Sequence, residues 1–296
     1  MTGAAGFIGS HALRALRARS HEPIGFARTR PGPGRIADLT DGVEFVDVDL
    51  TDPAAVRRAI FDTAPDAVIH AAWYAEPRLY LHDVERNIES LQSGLTLLRT
   101  ALDAGVPRIV LVGTCLEGVH GNTESIYATT KGCLHDLALA PAIRARSVVT
   151  CAHVFSPYGP GEHPDRIVPT IIRSLLQGES IAVGSGEPHR DFVHVSDVAV
   201  ALSVLAEASV GGSADICSGQ SRPLRDIFAA IAAEVERPEL IQWGQAVIGS
   251  SETFDVHGDP SELRALGWTP TFGLADGIRD AIAWWRSQLA TTRGTH

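Results

Sequence analysis

The sequence lacks a long apolar run and an excess of basic residues. No segment reaches the roughly 20 apolar residues that a membrane-spanning helix needs, and no secretion signal is visible. Lysine and arginine number 25 against 35 aspartate and glutamate residues, giving a formal net charge of −10. This charge argues against nucleic acid or an anionic membrane as the main partner, but it permits a local basic pocket.

Cysteine is scarce, and no two cysteines have the CxxC spacing of a zinc or redox site. The four residues are Cys115, Cys133, Cys151 and Cys217. They are interpreted as reduced, mostly buried thiols, which predicts a cytoplasmic protein. The histidines show no metal-ligand spacing either, so no metal site is expected.

Glycine, in contrast, is concentrated at the start of the chain. Gly3, Gly6 and Gly9 recur at three-residue spacing, directly before a helical pattern. Glycines there permit a tight turn and let the backbone N–H groups of a helix start approach a phosphate. The same pattern also occurs in ordinary glycine-rich turns, so the motif alone does not decide between the two.

The glycine turn has no strand before it. A nucleotide-binding turn of this type should follow a buried strand, yet only Met1 and Thr2 precede Gly3. A doubly wound sheet without its central strand should be badly destabilised. We therefore expect upstream sequence that encodes a short strand rich in valine and isoleucine.

Apolar runs and helical patterns alternate from residue 22 to residue 154. This alternation predicts βαβ units and an α/β fold, a Rossmann-like doubly wound parallel sheet. After residue 155 the alternation breaks, which predicts a smaller mixed α/β lobe. We expect a dinucleotide-binding domain over 1–155, with a returning segment near 190–217. The substrate-binding lobe is expected over 156–189 and 218–290.

Three residues in the middle of the chain have the chemistry of proton transfer. Tyr127 and Lys131 stand at i and i+4, so they share one face of a helix. A lysine beside a tyrosine stabilises the phenolate, which predicts a lowered tyrosine pKa. Thr114 follows an apolar strand, where a hydroxyl can face a ligand crevice. Each signal is weak alone, because unrelated surface residues and a turn threonine give the same patterns.

Taken in order, these motifs resemble those of the extended short-chain dehydrogenase/reductase family. The resemblance is to its NAD(P)-dependent epimerase/dehydratase group, which acts on nucleotide sugars, and it covers nearly the whole chain. The residues that carry it are TGxxGxxG at 2–9, Asp49-Leu50, His70-Ala71-Ala72, Thr114, YxxxK at 127–131, Tyr158-Gly159-Pro160-Gly161 and Arg190-Asp191-Phe192-Val193-His194.

The resemblance implies a cofactor-binding role for a set of residues. Gly3, Gly6 and Gly9 would hold the pyrophosphate of the cofactor. The further positions are Phe7, Ile8, Asp49, Leu50, Ala71, Ala72, Tyr127, Lys131 and Val154. After the second strand the chain carries Arg28 and Arg30, and arginine there accommodates the 2′-phosphate of NADP. NADP(H) is therefore favoured as the cofactor, with NAD(H) as the alternative. The alternative for the arginines is that they form a solvated basic loop without a role in cofactor binding.

The resemblance also implies catalytic and substrate-binding roles. Tyr127 would exchange a proton with the substrate oxygen, and Thr114 would bind the same oxygen. Lys131 would adjust the pKa of Tyr127. Arg190 would meet the substrate diphosphate, although a salt bridge with Asp191 or another carboxylate is the alternative. The other substrate-binding candidates are Trp73, for which core packing is equally expected, together with Cys115 and Arg166.

The resemblance is greatest to the nucleotide-sugar ketoreductases of deoxysugar pathways. It implies NADPH-dependent reduction of a keto group on a nucleotide-activated deoxysugar, a dTDP-4-keto-deoxyhexose. Family dehydratases carry an Asp-Glu pair directly after the threonine, whereas this chain has Cys115 and Leu116, with Glu117 displaced. Family epimerases usually keep NAD tightly bound, which Arg28 does not favour. The alternatives are such an epimerase and a non-catalytic NADP-binding sensor.

Several positions depart from the family pattern and leave the substrate open. Gly118 and Val119 replace the usual Tyr-Gly, and the segment between Thr114 and Tyr127 is short. His153 stands where arginine is common. The resemblance further implies a homodimer, formed by the helices predicted over 83–104 and 127–139.

Overall fold

A computed structural model describes residues 1–28, 34–39, 41–117, 125–245 and 255–293. The first half alternates helices and strands. Its elements are α1 (Phe7–Ala18), β1 (Ile24–Ala27), β2 (Glu44–Asp47), α2 (Pro53–Thr63), β3 (Ala67–His70), α3 (Val84–Asp103), β4 (Arg108–Thr114), α4 (Ile126–Ala138), α5 (Pro141–Arg144) and β5 (Val148–Val154). The helices predicted over 83–104 and 127–139 agree with α3 and α4 to within one residue at each end.

The second half combines helices with strands that are mostly two or three residues long. Its elements are β6 (Pro157–Tyr158), α6 (Ile167–Gln177), β7 (Ile181–Ala182), β8 (His189–Asp191), β9 (Val193–His194), α7 (Val195–Glu207), β10 (Gly212–Ile216), β11 (Ser221–Pro223), α8 (Leu224–Val235), β12 (Ile241–Gln242), β13 (Asp255–Val256), α9 (Ser261–Ala265) and α10 (Leu274–Arg293). No helix in the described part of the chain is both long and apolar enough to cross a membrane.

The central sheet is parallel throughout. Strands β3, β4, β5 and β10 pair in this order, and β1 pairs with β2. Strand β4 is buried along nearly its whole length, as a strand covered on both faces should be. The fold is thus the predicted Rossmann-like α/β fold.

Thr2 connects the two parts of this sheet. It forms parallel bridges with Phe26 of β1 and with His70 of β3. Its backbone N–H donates to Ile69 at 3.0 Å, and the N–H of Phe26 donates to Met1 at 2.7 Å. A single bridged residue therefore stands where the sequence pattern calls for a central strand.

Helices cover both faces of the sheet. On one face α1 packs closely against α7, with Ala12, Val198 and Leu202 fully buried between helices and sheet. On the other face α2, α3 and α4 cover β3 and β4, and Leu97 and Leu134 are buried there. The segment containing α7 and β10 returns to this sheet after the chain has already left it.

The remaining elements form a second lobe with its own core. Helices α6, α8 and α10 pack together around Ile172, Phe228 and Ile282. Asp197 of α7 ties this lobe to the sheet, because its buried carboxylate accepts bonds from the N–H groups of Thr271 and Phe272 at 2.9 and 3.0 Å. The cleft between sheet and lobe lies at the carboxyl ends of the strands, where open α/β sheets bind ligands.

Candidate active site

The glycine turn forms a tight cradle at the start of α1. Gly3 has φ of +66°, and a Cβ there would lie 2.8 Å from the backbone of Ala71 and Ala72. A Cβ on Gly9 would lie 2.0 Å from the carbonyl oxygen of Gly3. Gly6 is the N-cap of α1 and offers no side-chain cap to the helix. The first N–H groups of the helix therefore remain available to an anion.

Helix α4 presents Tyr127 and Lys131 toward the sheet. The Lys131 ammonium donates to the carbonyl of Val112 on β4 at 2.6 Å. It also lies 4.4 Å from the ring centre of Trp73 and 5.5 Å from that of Tyr127. Burial lowers the pKa of Lys131 to about 8. The spacing of the two residues thus places them together, as predicted.

The prediction that Tyr127 has a lowered pKa is wrong for the described residues. Burial raises the pKa of its hydroxyl, and the neighbouring Tyr80 adds to this effect. The ring of Tyr80 meets the ring of Tyr127 edge to face, with centres 4.7 Å apart. Lys131 is engaged by Val112 rather than by the phenol. Tyr127 is therefore a protonated phenol, which is the form that gives a proton to an oxyanion.

Strand β4 delivers Thr114 and Cys115 to the carboxyl end of the sheet. The hydroxyl of Thr114 accepts the N–H of Leu116 at 3.3 Å, and both Thr114 and Cys115 are buried. Burial raises the pKa of the Cys115 thiol to about 12. Cys115 is thus a neutral thiol beside the candidate proton-transfer residues, and it offers no nucleophile at neutral pH.

The other predicted cofactor residues follow the edge of the same cleft. Arg28 is exposed directly after β1, and Asp49 is exposed shortly after β2. Hydrogen bonds from Thr51 hold the pKa of Asp49 below its usual value, and the charge of Arg28 adds to this effect. The remaining positions Phe7, Ile8, Leu50, Ala71, Ala72 and Val154 range from half-buried to buried. Arg30, Gly118 and Val119 lie outside the described residues.

Trp73 contacts Lys131, and Arg166 contacts Tyr80, the neighbour of Tyr127. The Trp73 indole donates to the buried amide of Asn87 at 3.2 Å and packs under Lys131. The guanidinium of Arg166 lies 4.5 Å from the ring centre of Tyr80 and donates to the carbonyl of Ala75. Trp73 thus supports Lys131, whereas Arg166 covers the tyrosine pair from the second lobe.

Arg190 lies on β8, close enough to the end of β4 for its charge to act on Cys115. Its neighbour Asp191 is fully buried, and the carboxylate accepts bonds from Ser218 and Gly219. Arg222 of β11 stands directly opposite Arg190 in the antiparallel register. Opposed residues share one face of a sheet, so two guanidinium-bearing residues occupy that face.

The sequence interpretation missed a buried polar group behind Thr114. Glu117, His135 and His153 bring carboxylate and ring nitrogen atoms within 4.8 Å of one another. His135 stands four residues after Lys131, so helical spacing could have revealed it. Glu117 lies in the turn after β4 and His153 lies on β5, and no spacing in the sequence relates them. Arg222 and the buried Glu162 were missed for the same reason.

The grouping of Glu117, His135 and His153 has residue types that bind metals, contrary to the expectation from their sequence spacing. Two ligands about 2.0–2.1 Å from one tetrahedral ion stand about 3.3 Å apart. Here Nδ1 of His135 lies 2.6 Å from Oε2 of Glu117, which is a hydrogen-bond distance. The carboxylate and the two rings therefore pack directly against one another as a buried polar cluster.

These features define a class of protein, a Rossmann-like α/β fold with a glycine turn at the start of α1 and a tyrosine-lysine pair on α4 facing the sheet. The chain belongs to the NAD dependent epimerase/dehydratase family, whose model matches residues 1–217.

Full-length relatives support this membership. The chain is 27% identical to a GDP-6-deoxy-D-mannose reductase of Pseudomonas aeruginosa, over 98% of this chain and 97% of that protein. It is 28% identical to a dTDP-4-dehydro-6-deoxy-D-allose reductase of Streptomyces bikiniensis, over 97% of this chain and 95% of that protein. The crystal structure of a Thermus thermophilus UDP-glucose 4-epimerase with NAD is 26% identical and has a TM-score of 0.83, covering 96% of this chain and 97% of that one.

Proposed function

We propose that the protein reduces a keto group on a nucleotide-activated deoxysugar, with NADPH as the reductant. The substrate is expected to be a nucleoside-diphosphate 4-keto-deoxyhexose. Two of the relatives described above are reductases of nucleotide-linked deoxysugars. Family membership alone leaves epimerase and dehydratase activities open, so the choice among them depends on the site.

The observation that carries the proposal is the orientation of Glu117. Elimination of water needs an acid and a base near the sugar. Glu117 is 4% exposed, and its two carboxylate oxygens contact Thr114 and His135. Burial opposes ionisation of Glu117, but bonds from His135 and His153 outweigh it and lower its pKa to about 2. An inward-facing, ionised carboxylate cannot supply the acid, which favours reduction over dehydration.

The glycine cradle and the uncapped start of α1 fit the pyrophosphate of a nicotinamide dinucleotide. Gly3, Gly6 and Gly9 would hold it, and Lys131 would hold the nicotinamide ribose. When bound, the reduced cofactor supplies a hydride. Arg28 favours the phosphorylated form, NADPH, because a guanidinium suits the 2′-phosphate. This preference also favours net reduction over the use of tightly bound NAD by an epimerase.

The residues of the chain would then perform the proton transfer. The buried hydroxyls of Tyr127 and Thr114 bind the carbonyl oxygen and stabilise the charge that develops on it. Tyr127 gives its proton to this oxygen, and Lys131 stabilises the resulting phenolate. Arg190 and Arg222 bind the diphosphate of the substrate, since paired guanidinium groups match phosphate geometry. The tyrosine regains its proton from solvent after product release.

A panel of dTDP-, GDP-, UDP- and CDP-linked 4-keto-6-deoxyhexoses, each with NADPH or NADH, tests the proposal. We expect loss of absorbance at the reduced nicotinamide band and a hydroxyl product identified by NMR. Tyr127→Phe should lower kcat about 100-fold or more. Tyr158→Phe is the control, because its hydroxyl lies against Gly277 in the second lobe, and it should stay near wild type.

Three outcomes would contradict the proposal. Full reductase activity of Tyr127→Phe would remove Tyr127 from the chemistry. Purified protein that carries tightly bound NAD and interconverts sugars without net NADPH consumption would show an epimerase, the second candidate that the Thermus thermophilus structure favours. NADPH binding without turnover of any keto-sugar would show a sensor.

We also propose that two copies of the chain associate through α3 and α4. These helices pack side by side, and exposed apolar side chains follow their outer surface. On α3, Val84 and Ile88 are 47% and 42% exposed, and on α4 Leu137 is 47% exposed. An apolar stripe of this kind on a surface helix favours a protein partner.

A further inference from the structure

One buried carboxylate connects the elements that carry the proton-transfer residues. Oε1 of Glu117 accepts the backbone N–H of Thr114 at 2.7 Å. Oε2 of the same side chain lies 2.6 Å from Nδ1 of His135 on α4 and 3.6 Å from Nε2 of His153 on β5. A single side chain therefore links the end of β4 to the helix of Tyr127 and Lys131 and to the next strand.

A glycine in β4 makes room for this network. A Cβ on Gly113 would lie 2.3 Å from the ring carbon Cε1 of His135 and 2.5 Å from Oε1 of Glu117. Glycine inside a strand weakens it, and it often marks a place where another group approaches the backbone closely. Because Gly113 has no side chain, β4 leaves space at this position for the Glu117 carboxylate and the His135 ring.

The charges of the network alternate. Nδ1 of His153 lies 3.2 Å from Oδ1 of Asp215 on β10. Burial alone would lower the pKa of His153, but its contacts with Asp215 and Glu117 outweigh burial and raise the pKa to about 9. His135 differs, because burial lowers its pKa, so its ring stays neutral beside the Glu117 carboxylate. A cationic His153 therefore stands between two carboxylates at neutral pH.

Lys131 and Glu117 meet β4 at consecutive residues, because the Lys131 ammonium donates to the carbonyl of Val112 at 2.6 Å and the Glu117 carboxylate lies against Gly113. Burial lowers the pKa of Lys131, and the negative charge of Glu117 opposes that effect. The other titratable groups on which the charge of Glu117 acts are Tyr127 on α4 and Cys151 on β5, and burial raises the pKa of both. His70 on β3 is a neutral buried imidazole whose pKa burial lowers to about 3. Glu117 is thus the carboxylate that offsets the cost of a buried charge on Lys131.

We propose that Glu117 is a positioning residue, which fixes Thr114 relative to α4 and keeps Lys131 protonated, and that His153 holds its carboxylate in place. The effect on turnover rests on the proposed reductase function. The effect on Lys131 does not, because it follows from the network alone.

Lys131 is the only lysine of the 296-residue sequence, so its titration can be followed directly. Protein labelled with ¹³C,¹⁵N-lysine should give one side-chain signal, with an apparent pKa of about 8 in the wild type. Glu117→Gln keeps the shape and removes the charge, so the pKa of Lys131 should fall by about one unit or more. Glu179→Gln, an exposed site after α6, is the matched control and should leave the titration unchanged.

Turnover gives the second readout. In Glu117→Gln, kcat should fall about 10- to 100-fold because the reacting groups are less well aligned, while KM for the nucleotide sugar stays within about threefold. The alkaline limb of the kcat profile should move to lower pH, since Lys131 loses its proton earlier. A structural role alone would lower the amount of folded protein and leave this limb in place.

Two further variants separate the effect of charge in the network from the effect of the length of the Glu117 side chain. Glu117→Asp keeps the charge but shortens the side chain, so the Lys131 titration should stay near wild type while kcat falls. His153→Arg keeps a cation at every pH and should retain more activity than His153→Gln. If Glu117→Gln does not fold, unchanged kcat in both Glu117→Asp and His153→Gln overturns the proposal.

An unchanged Lys131 titration in folded Glu117→Gln also overturns it. Loss of the proposed function gives a different result: wild-type protein would then consume no NADPH with any keto-sugar of the panel. The NMR titration still decides the role of Glu117 in that case, because it requires no substrate.

Discussion

At the scale of single residues, Arg28 is the residue that we expect to determine the preference for NADPH over NADH. It is exposed directly after β1, where a 2′-phosphate would be placed. Arg28→Ala should raise KM for NADPH about 10-fold or more and change KM for NADH less than about threefold, since a charged hydrogen bond is lost only with the phosphate. Initial rates with both cofactors measure this. Arg99→Ala, 86% exposed on α3, is the control, and equal losses with both cofactors would indicate stacking on adenine instead.

The same scale shows what the sequence could not predict. The i, i+4 spacing placed Tyr127 and Lys131 on one face of α4, and the structure agrees. The pKa of Tyr127 depends on burial and on Tyr80, which lies far away in the sequence. The partners of Glu117 come from α4 and β5, so only the folded chain brings them together. Local spacing predicts neighbours on one element, whereas solvation and charge pairing depend on several.

At the scale of elements, the close contact between the glycine turn and α1 limits which residues can replace Gly9. Gly9→Ala would place a Cβ 2.0 Å from the Gly3 carbonyl oxygen. We expect a loss of about 2–4 kcal/mol in the free energy of unfolding, because neither backbone can yield without moving the helix. Gly132→Ala is the control within α4, where an added Cβ meets nothing within 4 Å. It should stabilise by about 0.5–1 kcal/mol. Urea unfolding of both variants measures the difference, and a Gly9→Ala variant as stable as wild type would contradict the close contact.

Elements of the sheet were predictable where their pattern is strong. Buried parallel strands such as β4 and β5 appear in the sequence as continuous apolar runs, and α3 has a clear stripe of leucines. The strands of the second lobe are two or three residues long, too short for any periodicity. Their pairing brings together residues that are far apart in the sequence, such as Arg190 and Arg222, and it forms only when those segments meet in the fold. At the centre of the described sheet, Thr2 bridges Phe26 of β1 and His70 of β3, at the position where the sequence shows no strand before the glycine turn.

At the scale of the whole molecule, the outer surface of α3 and α4 is the surface that we expect to form a homodimer. Val84, Ile88, Leu91 and Leu95 recur at helical spacing along α3, and Leu91 and Leu95 are half-buried. Burying such a stripe against a second copy removes apolar area from water, at about 25 cal/mol for each Å². The same surface on both copies gives a twofold interface. The pairing would contact α4, the helix that carries Tyr127 and Lys131, at its exposed side chain Leu137.

A charge at the centre of this stripe should separate the two copies. Ile88→Glu is expected to convert a dimer to a monomer at micromolar concentration, because a carboxylate would be buried against its symmetry mate without a partner. Val210→Glu is the matched control, since Val210 is 71% exposed and lies between α7 and β10. It should remain a dimer. Light scattering coupled to size-exclusion chromatography gives the mass of each variant. A wild-type monomer, or an Ile88→Glu dimer as stable as the control, would place the interface elsewhere. Since α4 carries Tyr127 and Lys131, kcat of the separated Ile88→Glu monomer then measures how far the dimer supports the active site.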